Sequence, residues 1–259
     1  MTKVFIVDAF SEGPGTGNPA AVVLLDRRRD SDWMTAVAAE LNQPATAFVT
    51  DAVDERYPLR WFSPAVELPL CGHGTLAAAH VLHHERGERS PQFATMRGSI
   101  SASSSPQGVE LDFPASSPQP STPPPGLLEA LGLGAANIAS CDDTMIVEVD
   151  SPETVAACRP DLEAEAFGVL RSVVITAAGG HDVDITSRVF APKAGIPEDH
   201  ATGSAHCLLT SFWSGRLDKT TLDARQASPR GGKLQVELRG DRVALRGRAR
   251  TVLTGRLLL

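Results

Sequence analysis

Cysteine is scarce in this chain. Four occur in 259 residues (Cys71, Cys141, Cys158 and Cys207), with no CxxC pair and no zinc-ligand spacing. Scattered in this way they build neither a disulfide framework nor a structural metal site, so no metal is expected. Positive charge is also short: 24 Lys and Arg against 31 Asp and Glu give a net charge of -7. Nothing in that balance asks for nucleic acid. The one basic concentration, Arg225, Arg230, Arg239, Arg242, Arg246, Arg248 and Arg250, mostly alternates with apolar residues, as on the wet face of strands. No run of 18 apolar residues exists to span a membrane, and Asp8 interrupts the opening MTKVFIVDAF where a signal peptide would stay apolar. A cytoplasmic protein without membrane contact is the expectation.

What is present is a repeated turn. LPLCGHGTLAAAHVLHH, residues 68–84, joins a strand-like run to a helix apolar on nearly every side, through a glycine-rich turn carrying Cys71 and His73. A surface helix would show one apolar stripe, so this one is read as buried. Gly72 and Gly74 let a ligand approach backbone N–H groups at a helix N-terminus, which suits a carboxylate. Downstream, Phe190-Ala191-Pro192 repeats Phe62-Ser63-Pro64, and Ala201-Thr202-Gly203-Ser204-Ala205-His206 opens a second apolar helix. Pro64 to Cys71 is seven positions and Pro192 to Thr202 is ten; the three extra residues are assigned to the polar turn with Glu198, Asp199 and His200. The second helix buries Ala205, Leu208, Leu209 and Phe212 and is expected to stop near Gly215. Two such halves imply a cleft between them.

Strands are expected at 3–10, 20–25, 47–50, 59–62, 95–100 and 109–113, and an amphipathic helix at 30–41 with Asp30 or Ser31 as its cap. The proline-rich run 114–125 reads as a linker, dividing the chain into halves 1–117 and 118–259, with the final strand free to return to the first half. In the second half, helices are expected at 127–131 and after Ser151, strands at 145–149, 169–176 and 185–190, and a meander at 234–238, 243–245 and 251–258 turning at Gly240-Asp241. The fold class is α/β: two pseudo-symmetric halves, each a mostly antiparallel sheet rolled around a central helix.

Four blocks carry a resemblance across nearly the whole chain: VDAF with GNPAAVVLL, LRWFSPAVELPLCGHGTLAAAHVL, VFAPKAGIPEDHATGSAH and QASPRGGKLQV. They resemble the phenazine-biosynthesis isomerase family, relatives of diaminopimelate epimerase. The resemblance implies a diaminopimelate epimerase-like fold, a homodimer, and a cofactor-independent site that moves a proton on a small carboxylated substrate. The family's usual base is a glutamate in Asn-Gln-Pro-Glu-Thr-Ala-Phe; here the block reads Asn42-Gln43-Pro44-Ala45-Thr46-Ala47-Phe48. Ala45 thus stands at the catalytic position, a natural or engineered replacement, with its Cβ expected toward the substrate in a solvated cleft. Carried over by position, the other catalytic candidates are His73, Asp199 and Ser204. Asn18, Cys71, Gly72, Gly74, Thr202 and Gly203 are the binding candidates, and no residue is assigned to a metal.

Taken without the family, His73 is a turn histidine and Asp199 a helix N-terminal carboxylate favoured by the dipole. His80, His83, His84 and His206 read as structural, and Cys207 as a small buried residue. Three readings of function stay open: an isomerase or epimerase lacking its usual base, a one-thiol racemase or dehydratase using Cys71, and a non-catalytic small-molecule binding protein.

Overall fold

The computed structural model describes residues 2–179 and 182–258. The chain divides into two compact units, Met1–Phe113 with Ala244–Leu259, and Pro114–Val243.

In the first unit the strand Thr2–Ala9 lies between Asn18–Leu25 and the closing strand Ala249–Leu257, antiparallel to both. The chain crosses through the helix Ser31–Leu41 and returns parallel to Asn18–Leu25 as Ala45–Thr50, which pairs antiparallel with Arg56–Phe62. A two-residue strand, Glu67–Leu68, and the helix Gly72–Arg86 then form a second crossover, returning parallel to Arg56–Phe62 as Gln92–Thr95. Antiparallel pairing with Gly98–Ser105 and Gly108–Pro114 follows.

The second unit repeats this pairing plan strand for strand. Asn137–Cys141 lies between Gln119–Pro120 and Thr144–Glu148, antiparallel to both, and Ser172–Ala178 comes back parallel to Thr144–Glu148. Ile185–Ala191 pairs antiparallel with that strand and with the short Ile196–Asp199, and Thr221–Gln226 returns parallel to it after the helix Gly203–Leu217. Gly232–Arg239 then pairs antiparallel with Thr221–Gln226. Each unit is therefore a mostly antiparallel sheet interrupted by two parallel crossovers, the second crossover being the central helix.

Burial follows from composition. Gly72 through Ala79, Val81 and Leu82 are buried in the first central helix, and ten residues from Gly203 to Ser214 in the second. Truncating the fully buried Leu76 to Ala would cost about 2–5 kcal/mol. Gly87 (φ 69) ends the first helix by donating its N–H to His83, a left-handed position that glycine adopts without penalty. On the outer face of the first sheet, Met34, Val37 and Ala38 of Ser31–Leu41 pack on Val4, Val23, Phe48 and Phe62. Asp30 caps that helix, accepting from the Trp33 N–H at 2.8 Å.

Several expectations are corrected. The strand expected at 95–100 is broken by a turn at Thr95–Gly98. The linker is not wholly free, since Gln119 and Pro120 pair with Ser140 and Ala139. Asn137–Cys141 and Thr221–Gln226 are strands with no expected counterpart. The last strand, placed in the meander but left free to return to the first half, does return and pairs with Thr2–Ala9, while the second central helix continues past Gly215 to Leu217, ending at the left-handed Asp218 (φ 51). The three extra residues of the second turn belong earlier than expected. Glu67 and Glu198 each precede their helix cap by four positions, so the insertion falls in the 3-10 turn Pro192–Ala194 and the left-handed Gly195.

That alignment exposes a shared device. Arg60 grips Glu67 through Nε and Nη2, both at 2.7 Å, with its guanidinium 5.0 Å from the Phe62 ring centroid. Arg188 grips Glu198 in the same two-pronged way at 2.7 and 2.9 Å, again 5.0 Å from a ring, Phe190. Arg188 also donates to the carbonyls of Cys158 and Val155 at the end of the helix Pro152–Ala157. Each fork pins to its sheet the short strand that leads into the central helix. The two differ in solvent access: side-chain exposure is 8% and 17% for Arg188 and Glu198, against 30% and 23% for Arg60 and Glu67. Glu198→Ala should therefore destabilise by about 3–5 kcal/mol, by stranding a buried guanidinium, and Glu67→Ala by about 1 kcal/mol or less. Urea unfolding of the two variants measures the order; equal losses would contradict it.

Candidate active site

The first turn is built on the inner face of its sheet. Phe48 points outward, its ring 6.0 Å from Trp33 of the outer helix. Strand alternation therefore puts Ala45 and Ala47 on the opposite face, the one carrying the central helix. Ala45 opens its strand opposite Ala20 and is fully buried. The expectation of a solvated position is overturned here: a side chain at 45 is enclosed by protein. Trp61, paired with Ala47, shares this inner face and reaches the helix N-terminus. A Cβ on residue 74 would stand 2.8 Å from Trp61 Cδ1 and 3.0 Å from Cys71 Sγ, so glycine is required by close approach. Asn18 is fully buried at the start of its strand, opposite Ala9.

Cys71 is the cap of the first central helix. Its Sγ accepts from the Gly74 N–H at 3.4 Å and lies 3.5 Å from His73 Nδ1, with both side chains buried. The Gly74 N–H, expected to hold a carboxylate, is thus taken by sulfur. Gly72, the first helical residue, is buried.

The second turn is arranged differently. Alternation along Ile196–Asp199 sends Asp199 to the face opposite Glu198, away from the Arg188 fork. Its carboxylate accepts from Thr202 Oγ1 at 2.6 Å and from the His200 N–H at 3.0 Å. Thr202 is the helix cap residue, but with its hydroxyl given to Asp199 no side chain caps this helix. Thr202, a binding candidate, thus has its hydroxyl engaged by Asp199. Gly203 is buried and Ser204 exposed in the uncapped first turn, where backbone N–H groups lack intrahelical partners.

Compared with known proteins, residues 7–255 match the family described as phenazine biosynthesis-like protein. The chain belongs to that family. An uncharacterised isomerase of Pseudomonas aeruginosa is 44% identical over 99% of this chain and 98% of its own. Another, from Halalkalibacterium halodurans, is 40% identical over 100% and 99%. A crystal structure of a PhzF family phenazine biosynthesis protein from Enterococcus faecalis superposes with a TM-score of 0.93 at 37% identity, covering 100% of this chain and 99% of that one.

Within this phenazine biosynthesis-like chain, sequence reasoning missed the residues that brace the second turn. Gln226, fully buried, accepts from the Thr202 N–H at 2.7 Å and donates to the Asp199 carbonyl at 2.6 Å and to Thr202 Oγ1 at 3.2 Å. Ser228 Oγ donates to the His200 carbonyl at 2.7 Å, and a Cβ on Gly232 would stand 2.6 Å from the Ala201 Cβ. All three belong to the block QASPRGGKLQV, so their signal was a motif without an assigned role. Among the described residues no group of three His, Cys, Asp or Glu is placed to hold a metal ion, and no helix is long and apolar enough to cross a membrane.

His206 lies wholly inside the second unit. Its Nδ1 is 2.9 Å from the Thr202 carbonyl and its Nε2 3.3 Å from Ser187 Oγ, a pairing that fits a neutral ring donating at Nδ1 and accepting at Nε2. Burial pushes it down to about 4 from the usual 6.5, against the raising effect of the Thr202 carbonyl. A depressed histidine pKa means that the unfolded chain takes up the proton first as pH falls, so stability is full above about 6.5 and is lost toward 4. His206 should contribute a loss of about 2 kcal/mol between pH 7 and pH 5, with His80, also pushed down to about 4 by burial, acting in the same sense. Urea midpoints at the two pH values measure this. His206→Gln should flatten the dependence, and an unchanged slope would contradict the assignment.

Proposed function

We propose that the protein is an isomerase or epimerase that moves a proton on a small carboxylated metabolite without a cofactor, and that Ala45 leaves it slow. The observation that carries this reading is the second turn: a carboxylate held by Thr202 and His200 stands beside a buried helix whose N-terminus no side chain caps. Uncapped N–H groups at Gly203 and Ser204 suit a substrate carboxylate, because the helix dipole and the unpaired donors both favour negative charge. Asp199, with both oxygens accepting hydrogen bonds, serves as the acid/base that returns or removes the proton. By the family resemblance the usual glutamate base would stand at residue 45, where a methyl group exchanges no proton at any accessible pH. The absence of a general base removes about 10²–10⁴-fold in rate.

A second reading is favoured by one distance. Cys71 Sγ lies 3.5 Å from His73 Nδ1, so a thiol and an imidazole that can exchange a proton share one buried turn. In that reading Cys71 replaces the missing carboxylate and the protein is a one-thiol racemase or dehydratase. The same sulfur also serves as the helix cap, which is a sufficient structural reason for its presence.

The two are separated by solvent deuterium incorporation into carboxylated metabolites. Ala45→Glu should raise exchange by about 10²–10⁴-fold. Since the site is enclosed, it should also lower stability by about 1–3 kcal/mol in the absence of ligand. Asp199→Asn in that background should lower the rate again, and Cys71→Ser should matter less than either. If the unaltered protein exchanges rapidly, Cys71→Ser abolishes exchange and Ala45→Glu adds nothing, the thiol reading replaces the first. Saturable binding with no exchange in any variant would instead make the chain a binding protein.

A further inference from the structure

A cavity of about 660 Å³ in the first unit lies at the far end of the central helix from Cys71 and His73. At 1.5 Å per residue, the ten positions from His73 to His83 put it about 15 Å along the axis. Its walls come from three segments: His80, His83 and His84 on the last helical turns, Arg89 beyond them with Ser104 and Ser105 of the hairpin, and Arg248 just before the closing strand. Gly108 makes the assembly possible. At φ +138 it brings the hairpin so close to the 247–248 segment that a Cβ would stand 2.5 Å from the Gly247 carbonyl oxygen. No Asp or Glu is among the lining residues.

Ser104 Oγ and His83 Nδ1, on two of the residues that line this space, are buried polar atoms without a partner among the described residues, and Ser104 is only 8% exposed. A buried hydroxyl left unpaired is costly unless something fills the site. Nor does any carboxylate pair with the Arg89 or Arg248 guanidinium among the described residues. Three neighbouring histidines would suggest a metal, but no described group of three has the arrangement to hold one. The rings instead pack on each other, His80 on His84 at 4.4 Å and His83 on His84 at 5.4 Å. The helix C-terminus opposes an anion, yet its last carbonyls are already bonded to the N–H groups of Gly87 and Glu88, and two full positive charges outweigh a partial negative one. Past His80 and His84, a second space of about 440 Å³ continues along Phe5, Val81, Ala249 and Thr254, giving room for an organic body.

We propose that this cavity is a binding site for a small organic phosphate, with Arg89, Arg248 and Ser104 holding the phosphate and the face past His80 and His84 holding the rest of the molecule. Guanidinium pairs match phosphate oxygens in geometry as well as charge, and the Ser104 hydroxyl supplies the neutral donor.

The test is calorimetric titration of the full chain with AMP and with inorganic phosphate near 150 mM salt, alongside the Arg89→Ala, Arg248→Ala and Ser104→Ala variants. Saturable AMP binding tighter than about 1 mM, weakened about tenfold by each arginine substitution, is expected. Arg248→Lys, which keeps the charge and loses the fork, should weaken it less. Inorganic phosphate binding with the same arginine dependence but lower affinity supports the site and assigns the difference to the organic body. The ring C–H proton resonances of His80, His83 and His84 should move on titration, and those of His73 and His206 should not. No saturable binding of either probe up to about 10 mM, or binding indifferent to both arginines while circular dichroism shows the variants folded, overturns the proposal.

Discussion

A helix buried along most of its length still leaves its first N–H groups without intrahelical partners, and that constraint shapes both turns of this protein. Water cannot reach such groups freely, so a side chain, a neighbouring segment or a ligand must satisfy them. The first central helix resolves it internally, with Cys71 sulfur on the Gly74 N–H. The second does not, because the Thr202 hydroxyl is drawn to Asp199 and its N–H to Gln226. The two units thus share one plan and use it differently: a side chain caps one N-terminus, and none caps the other.

For such a turn to be reproducible, the strand feeding it must be fixed, and the Arg–Glu forks do that. Arg60 with Glu67 and Arg188 with Glu198 occupy matching places in the repeated strand order. In the second unit the consequence reaches the chemistry. Holding Glu198 on the outer face obliges Asp199, its neighbour on a strand, to face inward. Charge pairing on one side of the sheet thereby orients an acid on the other.

Much was legible in the sequence because it rests on local chemistry. The central helices follow from the runs after Gly74 and Gly203, the outer helix from Asp30 and its apolar spacing, and the turn at Gly240 from glycine's access to positive φ. The duplication showed in Phe-x-Pro followed by a glycine turn, and the family in four motif blocks. Less legible were strands with mixed composition, such as Asn137–Cys141, whose place depends on partners distant in the chain.

By itself the sequence determined that two similar α/β units would each bury a helix behind a glycine turn, and that residue 45 carries no proton-exchanging group. Apolar patterning and glycine placement act over a few residues and can be read in order. Only the tertiary structure decided that Gly74 is already bonded, that Ala45 is enclosed, that Gln226 braces Asp199, and that Arg89, Ser104 and Arg248 surround one cavity. The Gly74 bond to Cys71 spans three positions; the others depend on segments from 15 to 159 positions apart, or on which side of a strand a residue falls once its partners are chosen. Such relations come from long-range strand pairing and burial, which no local pattern encodes.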